Sequence, residues 1–146
     1  MTRWLALALL FFTPLSSAVA QPNVQQSHVE ANVPSPQSFD VFLKRDLLSF
    51  FKHTSVPGAT RVAYKLLRDD PTQSGVAFPK YYAWVEVFVG PSRAQEGAVR
   101  LAAVNGDHFE VTHFHSAQQV RANASEVGKV FPPPLVPAVI ERAGAR

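Results

Sequence analysis

The chain has 146 residues, 47% of them hydrophobic and 17% charged, so it is too apolar for an intrinsically disordered chain and too short for two ordinary domains. It contains no cysteine, which excludes disulfide scaffolds, thiol nucleophiles and thiolate metal sites. The formal net charge of +3 drops to +2 without Arg3, the one charged residue of the first twenty, and so small an excess builds no phosphate-tracking surface; no nucleic-acid partner is expected.

Residues 1–20 read as a secretory signal peptide. Arg3 supplies the positive start, Trp4 to Phe12 the apolar stretch, and Ala18-Val19-Ala20 the small residues before the cut. Nine apolar residues are about half of the roughly 20 needed to cross a hydrocarbon core, so a membrane anchor is not expected. The mature chain is expected to begin at Gln21, in a periplasm or outside the cell, with no membrane insertion after cleavage and no cysteine to carry a lipid.

Residues 21–37, with Pro22, Pro34, Pro36 and no aromatic residue, read as a flexible leader that cannot offset its ordering entropy. Residues 38–146 are then one α+β domain. Ser38 stands as N-cap of a helix with Phe39, Phe42, Leu43, Leu47, Phe50 and Phe51 on one face, Asp40 in its first turn, and Lys52 and His53 in its last. Val56-Pro57-Gly58 ends it.

The period then changes to 2. Strands are predicted at Arg61 to Arg68, Tyr81 to Val89, Gly97 to Val104 and Asp107 to His115, the first two joined by the turn-forming Asp69 to Gly75. Around Asn105-Gly106, a type I turn with Gly106 in a left-handed bulge pairs Leu101 with Phe109, Val99 with Val111 and Arg100 with Glu110. This register keeps apolar residues together. Ser116 caps a short helix near Ala117 to Arg121, Pro132-Pro133-Pro134 is extended, and Leu135 to Arg142 forms a last short helix.

The strands have two unlike faces. Val62, Tyr64, Leu66, Tyr81, Ala83, Val85, Val87, Val99, Leu101, Phe109 and Val111 make one, the natural seat for the helix. Tyr82, Trp84, Glu86 and Phe88 alternate along the other, joined by Phe114 and flanked by Lys65, Arg100 and Glu110. Bare to water, this aromatic stripe is a binding surface. Three coverings stay open for it: Phe131, Leu135, Val136, Val139 and Ile140 of the tail folded back, a second copy in a homodimer, or a foreign protein partner or ligand.

A helix followed by a four-stranded antiparallel meander packed on it resembles the cystatin-like α+β roll, shared by cystatins and nuclear-transport-factor-2-like proteins, over about Ser38 to His115. The resemblance implies that fold. Cystatins inhibit through a Gln-x-Val-x-Gly hairpin tip and a Pro-Trp pair; here the first tip is Asp69 to Gly75 and Trp84 follows Ala83, so cysteine-protease inhibition is not carried over. Enzymes of the other branch use a carboxylate with polar donors in a cone-shaped pocket, a set that no residues here match one by one.

His113 and His115 share one side of a strand, the i, i+2 spacing that chelates a divalent metal, but a third ligand would have to come from His53, Glu86 or a loop. No cofactor motif occurs. Glu86, if covered, is raised in pKa and becomes a general base; the plainer reading pairs it with Arg100 or Lys65. Pro132 to Pro137 is either a polyproline ligand or a rigid connector. The preferred expectation is a small exported, non-catalytic binding or inhibitory module acting through Tyr82, Trp84, Glu86, Phe88 and Phe114. The alternative is a pocketed small-molecule binder or enzyme of the nuclear-transport-factor-2-like type using Glu86 or the two histidines.

Overall fold

The computed structural model describes residues 23–144; the expected signal peptide lies outside them. Helices α1 (Val24–Asn32) and α2 (Pro36–Thr54) precede strands β1 (Arg61–Leu66), β2 (Lys80–Val89), β3 (Ser92–Val104) and β4 (His108–Ser116). Three short helices follow: α3 (Ala117–Ala122), α4 (Val127–Val130) and α5 (Val136–Gly144). The sheet runs β1-β2-β3-β4, each neighbour antiparallel, so the architecture is the expected α+β meander.

Helix α2 starts ahead of Ser38. Pro36 occupies the first turn, where its missing N–H loses no bond, and the Ser35 carbonyl accepts from both Ser38 N and Phe39 N. Leu43, Leu47 and Phe51 are fully buried against Val85, Val87, Val99 and Leu101. Phe39 meets Tyr81 and Phe109 edge-on at 5.1 and 5.0 Å. Each large side chain buried here contributes roughly 1.5–3 kcal/mol, which makes this layer the main hydrophobic contribution to stability. All eleven residues assigned to the inner sheet face lie in this core or pack on it.

The expected flexible leader instead carries α1. Asn23 Oδ1 accepts from Gln26 N at 2.8 Å, and Val33 N closes the other end on Val29 O. Polar bonds replace the missing apolar stripe: buried Asn32 accepts Asn105 N on Oδ1 at 3.1 Å and Gly106 N on its backbone oxygen at 2.9 Å. The His28 ring stacks on Phe78 with centroids 6.2 Å apart.

That clamp also bears on the hairpin. Asn105 and Gly106 both take positive φ, +54° and +72°, rather than Gly106 alone, and Asp107 N donates to Val104 O at 3.3 Å. The β3–β4 register is consequently two residues away from the expected one, with Ala103 opposite Phe109, Leu101 opposite Val111, and Ala102 rather than Arg100 opposite Glu110. A slip of two keeps every side chain on its face. Beyond Leu101 a bulge leaves Thr112 unpaired, its Oγ1 donating to Arg100 O at 3.0 Å. From there the faces of β4 exchange: Phe114 sits opposite Val99 and meets Phe51 at 4.9 Å.

The tail covers the outer sheet face. Tyr82, Trp84 and Ala98 form a second core with Ala117, Val120, Val127, Phe131, Val139 and Ala143. Ser116 and Gln119 make a reciprocal capping box at the start of α3. Of the three prolines only Pro132 is extended; Pro133–Leu135 is a 3-10 turn leading into α5. No helix of the described residues is long and apolar enough to cross a membrane.

Candidate functional site

The structure divides the aromatic stripe. Tyr82 and Trp84 are each only 5% exposed, because α3, Phe131 and α5 lie on them, so they are core and not an open surface. Tyr82 Oη is hydrogen-bonded to Thr72 Oγ1 at 2.9 Å, and its ring lies 5.7 Å from that of Phe131. Phe114 leaves the stripe altogether, turned to the α2 side by the extra residue at Thr112. Phe88 stays half-buried beneath the Arg61 guanidinium, 3.8 Å from the ring centre.

Glu86 pairs with neither Arg100 nor Lys65 but with Arg93, which also reaches Glu96 at 3.3 Å. A register shift after Val87 leaves Ala94 without a partner and sets Arg93 opposite Phe88. His113 and His115 share the outer face, opposite Arg100 and Ala98. Arg100 Nη2 donates to His113 Nδ1 at 2.7 Å, which places the imidazole proton on Nε2 and a fixed positive charge where a cation would approach. Among the described residues no three His, Cys, Asp or Glu side chains form a group that could hold a metal ion. Glu86, His113 and His115 therefore lie across the sheet from the α2 interface, which is filled by the fully buried side chains named above.

The feature that sequence reasoning missed is the free edge of β1. Leu67 N donates to Tyr82 O at 2.8 Å, and this sets the phase of the antiparallel ladder. Arg61, Ala63 and Lys65 turn their backbone groups toward β2; Val62, Tyr64 and Leu66 turn theirs outward. No hydrogen bond among the described residues takes up those outward groups. Beside them runs a groove of about 480 Å³, lined by Asp40, Lys44, Arg61, Val62, Ala63 and Tyr64.

Hydrogen bonds tie its α2 wall to β1. Asp40 accepts from Lys44 Nζ at 2.8 Å and from Tyr64 Oη at 3.0 Å, and these bonds hold its carboxyl below the usual range. Burial, reinforced by the Asp40 carboxylate, pushes the Tyr64 hydroxyl up to about 12. Lys65, on the outer side, is exposed. The signal for this edge was present: in a meander the first strand has a neighbour on one side only, and Arg61 to Leu66 alternates without a break.

The opposite edge, on β4, is treated differently. Asp46 Oδ2 accepts the outward amide of Phe109 at 2.7 Å, while Arg45 holds that carboxylate at 2.8 Å and donates to Asp107 O at 2.8 Å. The Thr112 bulge then interrupts the edge, and the groove beyond it, about 650 Å³, is walled in part by the side chains of Phe50, Val111 and Phe114. No protein-family model, curated protein or solved structure matches the chain.

Proposed function

We propose that this protein is a small exported interaction module that holds an extended segment of its partner as a fifth strand beside β1. The row of outward N–H and C=O groups on Val62, Tyr64 and Leu66 carries the reading. An added strand satisfies such groups, each bond contributing about 0.5–1.5 kcal/mol net, while side chains of alternating direction supply specificity.

The flanking chemistry selects the segment. Val62 and Leu66 favour apolar residues on the inner side of the incoming strand. Arg61 and Lys65, on the outer side, favour acidic residues across from them. Tyr82 and Trp84 then act as the packed support of the sheet and not as the contact surface. The signal-peptide pattern of residues 1–20 supports a periplasmic or secreted setting.

The test is amide hydrogen exchange with a synthetic peptide alternating Val and Glu, and a Val–Lys counterpart as control. Slowed exchange at Val62, Tyr64 and Leu66 with the acidic peptide, and not with the basic one, is the expected outcome. Protection that appears on β4, or on no strand, would overturn the reading.

A further inference from the structure

The outer sheet face carries a second feature, separate from the β1 edge. Lys80 on β2, Arg100 on β3 and His113 on β4 stand on the same side of three adjacent strands. Arg100 and His113 are direct cross-strand partners, while Lys80 lies diagonally from Arg100, opposite Ala102. The bulge at Thr112 creates the arrangement, since without the extra residue His113 would face α2. None of the three forms an ion pair with a carboxylate among the described residues.

Arg100 is held in place: its Nε donates to Thr112 Oγ1 at 3.0 Å and its Nη2 to His113 Nδ1 at 2.7 Å. The groups around the cluster are Glu110, opposite Ala102 and 3.7 Å from His108 Nε2, the Tyr82 hydroxyl on Thr72, and His115 beside Phe131. Glu110 shares Ala102 with Lys80 as a cross-strand neighbour and draws the Lys80 pKa upward, against the effect of Arg100. Burial first, and Arg100 second, lower both titrating members. Lys80 is held below its ordinary value by burial and by Arg100, and His113 by burial, Arg100 and His115.

We propose that Lys80, Arg100 and His113 form a binding site for a tetrahedral oxyanion of the phosphate or sulfate type. Three nitrogen donors carried on one face of three adjacent strands suit an anion with several oxygens. A planar carboxylate would need the bidentate fork of Arg100, and two of that fork's nitrogens are already engaged. His113 contributes Nε2–H when neutral; protonation adds a full charge and releases Arg100 Nη2 to the anion, because Nδ1–H no longer accepts from it.

The experiment is an NMR titration of the histidine rings in the full mature chain, with and without sodium sulfate, which stays dianionic throughout. Sulfate raises the His113 pKa by about one unit, equivalent to about tenfold tighter binding once the ring is protonated, and leaves His53 unmoved. Arg100→Gln removes the response to sulfate and raises the His113 pKa in its absence, because the neighbouring cation is gone; Lys80→Ala, which leaves the Thr112 and His113 bonds untouched, weakens sulfate binding at least tenfold. Inorganic phosphate alone and vesicles of phosphatidylglycerol in phosphatidylcholine form two further arms. A response to the free ions assigns a soluble ligand, and an Arg100-dependent response to vesicles alone assigns a lipid headgroup. If neither arm moves His113, or if His53 moves equally, the site is overturned.

Discussion

Two strands close this sheet, and their outer edges are built differently. Along β4 the outward amide of Phe109 is taken by Asp46, Arg45 ties the turn carbonyl of Asp107, and an unpaired Thr112 breaks the line of backbone groups. Along β1 six residues run in unbroken register with β2, and Val62, Tyr64 and Leu66 hold their outward groups clear of any partner in the described chain. Bulges and carboxylate plugs are the devices by which sheet proteins prevent edge-to-edge association. That one edge carries them and the other does not is the asymmetry on which the proposed addition of a strand beside β1 rests. In that proposal Arg61 and Lys65 select for acidic residues on the outer side of the incoming strand.

The largest contrast comes from proline placed on either phase of β1. Ala63→Pro deletes an amide that bonds β2 and sets a ring into the ladder; we expect a loss of about 3 kcal/mol or more, seen as loss of cooperative unfolding in a urea titration. Leu66→Pro removes an amide that points outward, so it should cost only about 1–2 kcal/mol for the trimmed, half-buried side chain. The same variant should abolish capture of the acidic peptide. Equal damage from the two prolines would mean that the phase of β1 is wrong.

A smaller effect is expected when the β4 plug is removed. Asp46→Ala leaves the Phe109 amide without its charged acceptor, at a cost of about 1.5–3 kcal/mol. Exchange at Phe109 should accelerate while Val62, Tyr64 and Leu66 keep their rates, and the variant should associate with itself at high concentration, as measured by sedimentation. A monomer with unchanged exchange would remove the protective role given to Asp46.

The smallest effect is a pH response on the β1 side. Burial pushes the Tyr64 and Tyr81 hydroxyls up to about 12 in the fold, from an ordinary 10.0. A raised pKa favours the protonated, neutral form, so this stabilisation is complete below pH 10 and fades as pH climbs from 10 to about 12. Tyr64→Phe should flatten part of that decline in the thermal midpoint, leaving the part due to Tyr81. An unchanged profile would mean that Tyr64 is as solvated in the fold as it is unfolded.

What could be read from the residues was whatever repeats. The apolar stripe of α2 and the alternation of β1 to β3 predict the inner core residue by residue, because burial imposes a period on the side chains. Single insertions have no period. Thr112 looks like any other strand residue and Ala94 falls ahead of the strand predicted from Gly97, yet the first sends Phe114 to α2 and the second sets Arg93 opposite Phe88, where it claims Glu86. Helix α1 went unread for a related reason, since its anchor is one hydrogen-bonding side chain, Asn32, and not a stripe. The cover over Tyr82 and Trp84 was one of three alternatives on apolar content alone; only packing could choose among them, because a tail, a second copy and a partner all offer the same kind of surface.

Asn32 has a consequence in time as well as in space. Its side chain meets Asn105 across 73 positions of sequence, so the first helix of the described chain docks on a turn that is made late. During synthesis the Asn32 bonds to the turn cannot form until the β3–β4 hairpin has left the ribosome, and closing so long a loop is slow compared with folding a local helix. Helix α1 therefore takes its Asn32 anchor only after most of the sheet exists.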